Sequence, residues 1–299
     1  MRFEDAYEDF KIYASKRHKK QGFETLSRNF NLHILPYFKG KFLNELNKND
    51  IILWQDYIIE FNYSNNFNSI LYYEFSSFIK YCINCNYIEE NIVLKVGKFK
   101  KKYEEKKYDI YSLKEFKIFL RHFDNFVYQQ YFNFMFYCGT RPSEALALKF
   151  SDINGNYIHI TKSLHRRGNR EVDSPKNNSS IRYIYLPFKI RFNLFKLKKY
   201  YISIYGVYNK DYYLFGGKKP LSTTTIDRYK DKACKSANLR TITQHQFRHS
   251  YASYKIHKGV AIDYVSKSMG HSRVSTTLDI YLHNEKKTHN VLFQKFNIF

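Results

Sequence analysis

The chain has 299 residues, with 50 lysines and arginines against 27 aspartates and glutamates, so its formal net charge is +23. A hydrophobic fraction of 43% and an aromatic fraction of 19% exclude a disordered chain, and four cysteines exclude a disulfide-built secreted scaffold. The charge favours a polyanionic partner, most often nucleic acid, over a protein that is basic only for solubility.

No apolar run approaches the roughly 20 residues that a membrane span needs, so we expect no membrane association. The N-terminal stretch carries acidic residues where a signal peptide would be apolar. We therefore expect a cytoplasmic protein. The first helical pattern begins almost at Met1, so we expect no additional N-terminal module.

The positive charge is unevenly distributed along the chain. Residues 1–107 contain 18 basic and 14 acidic residues, a net of +4, whereas residues 108–299 contain 32 and 13, a net of +19. The division between these two parts follows a lysine-rich run over 95–107. This run has little apolar periodicity, which predicts an exposed linker. Its lysines either contact phosphates or are only solvated. The sequence thus predicts a domain over 1–94, a basic linker over 95–107 and a domain over 108–299.

The first domain is predicted to be helical. Over residues 3–14, Phe3, Tyr7 and Phe10 fall on one helical face with two alanines. No alternating strand pattern appears before residue 108. Further helical patterns occupy residues near 24–34, 48–61, 66–87 and 89–94.

The second domain is predicted to be mainly helical with a small antiparallel sheet. A capping-box spacing at Ser112 and Glu115 starts one helix, a second helix over 126–138 ends at Gly139, and Pro142 suits the first turn of a third over 141–148. The predicted strands cover 157–161 and 181–186, with a turn-rich loop over 173–180 between them. Further helices are predicted near 189–204, 222–237, 244–258, 261–269 and 274–283.

No motif in the sequence calls for a metal or an organic cofactor. Cys82 and Cys85 form a CxxC pair, but no second pair stands nearby to complete a zinc site, so we interpret both as packing residues. There is no glycine-rich phosphate loop, no HExxH motif and no cluster of carboxylates. We therefore expect neither a metal nor a cofactor.

Two arginines are the first candidates for chemistry. Arg141 and Arg248 carry permanent charges on planar donor forks, which suit the non-bridging oxygens of a phosphate. His245 lies one helical turn before Arg248, so their side chains share a face. Alone, an Arg-x-x-Glu pattern such as that at Arg141 is more often a surface ion pair, and a His-x-x-Arg pattern such as that at His245 is more often an ordinary helix face.

Three further residues, Lys176, His271 and Tyr281, complete this set. Tyr281 is a poor nucleophile at neutral pH, because a phenol has a pKa of about 10 and needs a base to take its proton. A histidine, with an ordinary pKa near 6.5, can serve as that base. Lys176, in the predicted loop, could protonate a leaving alkoxide. Together these groups describe phosphoryl transfer to tyrosine without a metal.

The order and local sequence of these motifs resemble the tyrosine recombinases, the family of phage and conjugative-element integrases and Xer recombinases. The matching stretches are CGTRPSEALALKFSDI, SPKNNSSIRYIYLP, HQFRHSYAS and MGHSRVSTTLDIYLH. The resemblance implies a helical core-binding domain over 1–94, a catalytic domain over 108–299, and a two-domain clamp around duplex DNA.

The resemblance also implies roles for the residues that hold the phosphate. Arg141 and Arg248 would hold the scissile phosphate and His271 would add a third hydrogen bond to it. Glu144, one turn after Arg141, resembles the family's acidic residue that orients the active site.

Three further roles concern the bonds that form and break. Tyr281 would attack and form a 3′-phosphotyrosyl bond, His245 would assist its proton transfer, and Lys176 would protonate the departing 5′-oxygen. The lysine assignment has competitors, although an arginine cannot readily act as a general acid. These competitors are Lys162, Arg166, Arg167 and Arg170.

The resemblance implies a double-stranded recombination site as partner and a homotetramer assembled on two DNA duplexes. The apolar tail, residues 288–299, could dock in trans on a neighbouring protomer or pack on its own core. Integration and excision of a mobile element and Xer-like recombination both fit the motifs. A type IB topoisomerase-like relaxing enzyme and a catalytically silent DNA-binding relative are the alternatives.

Overall fold

The computed structural model describes residues 1–100, 102, 109–164, 172–173 and 181–279. It divides the chain into two compact units, Met1–Glu105 and Lys106–Phe299. Each unit has its own hydrophobic core. Lys176 and Tyr281 lie outside the described residues, as do Arg166, Arg167 and Arg170.

The first unit is helical, as predicted. Its helices are α1 (Phe3–Ser15), α2 (Lys20–His33), α3 (Leu35–Phe38), α4 (Lys48–Glu60), α5 (Asn65–Asn84) and α6 (Ile92–Val96). Asn47 caps α4 through a capping box, and Ser64 caps α5. The core is unusually aromatic, with the Tyr7 and Phe30 rings stacked 4.1 Å apart.

The first unit extends past the boundary expected at residue 94. Helix α6 runs to Val96, and Phe99 is buried in the same core. The Gln55 Nε2 donates to the Gly97 carbonyl at 2.8 Å. The first part of the lysine-rich run is therefore held against the unit by Phe99, and the division into 1–94, 95–107 and 108–299 stays a prediction. Residues 101 and 103–107 lie outside the described part.

The second unit is mainly helical with a small antiparallel sheet, which confirms the predicted fold class. Strands β1 (Ile153–Asn154), β2 (Tyr157–Ile160) and β5 (Arg182–Tyr185) form an antiparallel sheet in the order β1-β2-β5. Strands β3 (Ser163–Leu164) and β4 (Val172–Asp173) form a separate pair. The helices are α7 (Leu113–Arg121), α8 (Phe126–Cys138), α9 (Pro142–Ala147), α10 (Phe188–Tyr205), α11 (Thr223–Ser236), α12 (Gln244–His257) and α13 (Ile262–Met269).

The centre of this unit is α8, which packs along α12. Nine of its thirteen residues are buried, so it is apolar on nearly every side, as a central helix must be. Residues 274–279 are also helical. The remainder of the helix predicted over 274–283 lies outside the described residues. None of the described helices is long and apolar enough to span a membrane.

Candidate active site

A tight turn after α8 positions the first arginine. Gly139 ends α8 in the left-handed conformation, with φ of 64°. A Cβ atom there would lie 2.3 Å from the Tyr251 ring, so both the conformation and the close approach to α12 require glycine. The chain then reverses, and Arg141 becomes the N-cap residue of α9.

Glu144 holds Arg141 in place. Its carboxylate accepts from Arg141 Nη1 at 2.7 Å and from the Arg141 backbone N–H at 2.8 Å. The other terminal nitrogen, Arg141 Nη2, donates to the Gly270 carbonyl at 2.7 Å. Arg141 thus joins the start of α9 to the end of α13, with its side chain still one-third exposed.

Arg182, on β5, is the second partner of Glu144. Its Nη1 and Nη2 donate to the two carboxylate oxygens at 3.1 and 2.8 Å, and its Nε donates to the Ser268 carbonyl at 2.7 Å. Burial alone would raise the pKa of Glu144, but the hydrogen bonds and charges of Arg182 and then Arg141 outweigh it and lower the pKa. Glu144 is therefore an ionised, buried bridge between two guanidinium groups.

Arg248 is buried beside this pair. Its side chain comes from the second turn of α12, and its Nη1 donates to the Gly139 carbonyl at 2.7 Å. Its Nη2 is buried and has no hydrogen-bond partner among the described residues. Burial first, and then the charge of Arg141, lowers the pKa of the Arg248 guanidinium. A guanidinium stays protonated at neutral pH, so Arg248 presents a positive charge that is not directly ion-paired within the described residues, together with an unused donor.

His271 follows directly after α13, which ends at Gly270 in the left-handed conformation. Its Nδ1 lies 2.8 Å from the Oγ1 of Thr277, which is fully buried. Burial, followed by the charges of Arg248 and Arg141, lowers the pKa of His271 to about 3. The ring is therefore neutral at physiological pH, and it can offer one N–H to a ligand through the nitrogen that Thr277 leaves unused.

The electrostatics of this cluster match a phosphate. Arg141, Arg182 and Arg248 contribute three positive charges and Glu144 one negative charge, which leaves a net charge of about +2. The charges of all three arginines lower the pKa of His271, so all four groups share one electrostatic environment. A phosphodiester carries one negative charge, and its pentacoordinate transition state carries a second. The cluster can therefore stabilise the transition state more than the ground state.

Of the predicted site residues, the structure brings together Arg141, Glu144, Arg248 and His271. His245 lies in the first turn of α12 and is exposed. It lies close enough to His249 to affect the pKa of that residue, which is lowered to about 4 by burial first, then by Arg248 and then by His245. Lys162, the competitor for the general acid, donates to Asp152 at 2.9 Å. Within the described residues, no group of three or more His, Cys, Asp or Glu side chains could hold a metal.

Arg182 is the residue that the sequence reasoning missed. An arginine within a strand is usually solvent-facing, and the pattern over 181–186 predicts only a strand of the sheet. The signal was nevertheless present, because Arg182, Ile184 and Leu186 alternate with tyrosines and are all buried. An arginine at an inward-facing strand position requires a buried acid as its partner.

Comparison with known proteins agrees with this geometry. Residues 113–288, more than half of the chain, match the model of the phage integrase family. The chain belongs to the phage integrase family. Through that membership it is a tyrosine recombinase, as the resemblance of its motifs predicted.

Its relatives include integrases and recombinases. The chain is 26% identical over 265 residues to the ICEBs1 integrase of Bacillus subtilis, covering 85% of this chain and 71% of the relative. It is 33% identical over 151 residues to a tyrosine recombinase of Thermosipho africanus, covering 50% of this chain and 47% of that one. The chain thus spans about half the length of that second relative.

Solved structures share the fold. A Tn1549 transposon integrase in complex with transposon right-end DNA superposes with a TM-score of 0.74 at 19% identity, covering 94% of this chain and 95% of the other. A lambda integrase dimer bound to a COC′ core site gives 0.73 at 16% identity, with the same shares covered.

Proposed function

We propose that the chain is a site-specific DNA recombinase that cleaves and rejoins DNA through a 3′-phosphotyrosyl intermediate. The observation that carries the proposal is the cluster of Arg141, Arg248 and His271, in which Arg248 Nη2 is a buried donor without a hydrogen-bond partner in the described part of the chain. Leaving a buried donor unpaired costs roughly 1–3 kcal/mol, which a bound phosphate oxygen would remove.

In the proposed mechanism, Arg141 and Arg248 hold the two non-bridging oxygens of the scissile phosphate. His271, neutral at physiological pH, donates one further hydrogen bond. Glu144 and Arg182 do not touch the phosphate; they fix the orientation of Arg141. Because the arginines are held by backbone carbonyls and a buried carboxylate, their alignment costs little reorganisation during the reaction.

The proposed reaction exchanges one phosphorus–oxygen bond for another. The Tyr281 oxygen attacks phosphorus, the bond from phosphorus to the 5′-oxygen breaks, and the tyrosine remains joined to the 3′-phosphate. His245 assists removal of the tyrosine proton, and Lys176 gives a proton to the departing 5′-oxygen. Attack by the 5′-hydroxyl of another strand reverses these steps and rejoins the DNA. The helix over 274–279 leads towards Tyr281 in the sequence.

The proposed partner is duplex DNA carrying a recombination site, which makes the cytoplasm the proposed location. We propose a homotetramer on two duplexes, in which residues 288–299 dock in trans. A lambda integrase tetramer bound to a Holliday junction, a structure of the same fold with a TM-score of 0.71, supports this assembly. The core-binding role of the first unit, residues 1–94 in the sequence prediction, belongs to the same proposal.

Integration and excision of a mobile element is the biological role that the relatives favour. The match to the ICEBs1 integrase covers 85% of this chain, whereas the match to a staphylococcal XerD recombinase covers 53%. Recombination between plasmid-borne element ends would measure this role. Relaxation of a plasmid that lacks a recombination site would instead favour a topoisomerase-like enzyme.

The covalent intermediate provides the chemical test. On a nicked suicide duplex carrying the recombination site, the wild-type chain is expected to form an adduct that survives denaturing electrophoresis. Tyr281→Phe should bind the same duplex without forming the adduct. Tyr264→Phe is the matched control, because Tyr264 is an exposed tyrosine of the same unit. An adduct that persists in Tyr281→Phe and disappears in Tyr264→Phe would contradict the assignment.

A further inference from the structure

Helix α10 has an apolar face that the rest of the described structure leaves exposed. Its inner side is buried in the core of the second unit. The buried residues are Ile190, Leu194, Leu197 and Tyr201. On the opposite side, Phe188 is 75%, Phe192 48%, Phe195 50% and Ile202 36% exposed. We call these four residues the outer seam of α10.

The spacing of the outer seam is that of a coiled-coil interface. Successive seam residues are separated by four, three and seven positions, which places them at the a and d positions of a heptad repeat. Lys199 occupies the one remaining a position in the interval. The helix has 18 residues, or about 27 Å, enough for two and a half heptads. The seam therefore has the geometry to receive a second helix.

Both flanks of the outer seam are positively charged. Four of the six e and g positions in α10 hold cations and the last two hold Ser203 and Tyr205; α10 contains five cations and no acidic residue. The flanking residues are Lys189, Arg191, Lys196 and Lys198. Two of them lie over seam rings, Arg191 at 5.8 Å from the Phe188 centroid and Lys196 at 4.7 Å from that of Phe192. In coiled coils, the e and g charges select the partner.

A cleft lies beside the outer seam. It has a volume of about 330 Å³, and it is lined by Phe195 of the seam and by Arg191 and Lys198 of the flanks. Leu186 and Leu194 contribute to its apolar lining. This size suits a bulky apolar side chain, and the cations at its edge suit a neighbouring carboxylate.

We propose that the outer seam of α10 docks an acidic amphipathic helix of another protein. The partner helix presents apolar residues to the seam and glutamate or aspartate to the cationic flanks, and it inserts one large apolar side chain into the cleft. Apolar burial along the seam supplies affinity, while the flanking charges supply specificity and speed association.

The charges argue against three other occupants. A second copy of α10 would place cations opposite cations on both flanks. The chain's own residues 284–299 contain three lysines and one glutamate, so their net charge matches that of the flanks instead of opposing it. DNA could pair its phosphates with the cations, but its phosphates offer no apolar group to cover the phenyl rings at the centre of the seam.

The test uses two synthetic 21-residue helical peptides with leucine at every a and d position. One peptide carries glutamate and the other lysine at every e and g position. By fluorescence anisotropy with the full chain, we expect the glutamate peptide to bind at least about tenfold more tightly, with affinity falling as salt is raised. Equal binding of the two peptides, or no binding of the glutamate peptide, would overturn the proposal.

Two variants locate the binding surface. Phe192→Ser and Phe195→Ser should each weaken the glutamate peptide at least about tenfold, because each removes a central apolar contact. Ile204→Ser is the matched control, since Ile204 is 52% exposed on the same helix but lies outside the seam. Equal effects of all three substitutions would contradict the docking surface.

DNA and membranes are tested with the same variants. We expect Phe192→Ser to leave both the affinity for site-bearing DNA and the yield of covalent adduct unchanged. If Phe192→Ser weakens DNA binding, the seam contacts DNA. If the wild-type chain sediments with phosphatidylserine vesicles and Phe192→Ser does not, the seam contacts a membrane. Either result overturns the proposal. Peptide binding does not require recombination, so the two proposals can fail separately.

Discussion

Each unit holds a glutamate that is withdrawn from water, and the two carboxyl groups respond in opposite ways. In the first unit, burial raises the pKa of Glu74 to about 7, and only the hydrogen bond from Asn29 Nδ2, at 3.2 Å, and the charge of Arg28 oppose the shift. In the second unit, burial acts on Glu144 in the same direction, but Arg182 and Arg141 reverse the shift. Direct arginine partners decide whether a buried carboxylate remains charged.

The arginines around Glu144 do more in the second unit than keep its carboxylate ionised. Glu144 neutralises one guanidinium group, yet three arginines converge on the same place, so a positive surplus remains. The first unit has no comparable group of buried arginines in its described part. Four experiments test this difference between the two units, in order of decreasing expected effect.

Arg182→Gln should shift the pKa of Glu144 upwards, towards the raised pKa of Glu74. The substitution removes two charged hydrogen bonds from a buried carboxylate, so we expect the second unit to lose about 3–5 kcal/mol of unfolding free energy. Denaturant unfolding measures this loss. The double variant Arg182→Gln with Glu144→Gln is the control and should recover part of the stability. If Arg182→Gln alone is as stable as the wild type, the ion pair between Arg182 and Glu144 does not stabilise the buried carboxylate.

Arg248→Ala removes one of the two surplus positive charges and leaves the direct hydrogen bonds of Glu144 in place. Losing one preorganised donor to a developing oxyanion costs roughly 3–4 kcal/mol, so single-turnover cleavage should slow by at least about a hundredfold. We expect the same of Arg141→Ala. Lys235→Ala removes an equal charge from the exposed face of α11 and should cleave at a near-normal rate. Near-normal cleavage by Arg248→Ala would refute the assignment.

Glu74→Gln tests the uncompensated carboxylate. A carboxyl group whose pKa is raised on folding destabilises the fold at pH values above its unfolded value, and the full cost is reached above pH 7. We expect the variant to be about 1–2 kcal/mol more stable than the wild type at pH 8, allowing for partial solvent exposure, and to lose that advantage at pH 5. A stability difference independent of pH would contradict the raised pKa.

Thr277→Val tests the orientation of His271. The substitution keeps the shape of the side chain but removes the hydroxyl beside Nδ1, so we expect cleavage to slow about five- to tenfold, or about 1 kcal/mol. Thr277→Ser keeps the hydroxyl and should cleave like the wild type. Because the pKa of His271 is about 3, its neutral form persists between pH 5 and 8 and contributes no pH dependence there. Equal rates for the valine and serine variants would show that the hydroxyl has no positioning role.

The sequence predicted most of the fold because the long helices have clear apolar periodicity. Strands β1, β3 and β4 have two residues each, too few for any alternation to register. Phe99 stands among lysines, so the charge of the run concealed a buried apolar residue that packs in the core of the first unit.

Part of the candidate site was also predictable. Arg141, Glu144, Arg248 and His271 stand in local sequences that resemble a known family, and the structure brings all four together. Arg182 could not be assigned in this way, because its role depends on a carboxylate 38 positions earlier that only folding brings within 2.8 Å. The roles assigned to these four residues, and those of Lys176, His245 and Tyr281, stay predictions.

The central claim is that buried guanidinium charge stabilises the negative charge of the reacting phosphate. The most direct measurement compares wild-type and Arg248→Ala cleavage of two suicide duplexes, one with an ordinary scissile phosphate and one with an uncharged methylphosphonate. We expect a defect of at least about a hundredfold on the phosphate that falls below about tenfold on the methylphosphonate, because the charge that Arg248 balances is gone. The same defect on both duplexes would contradict it.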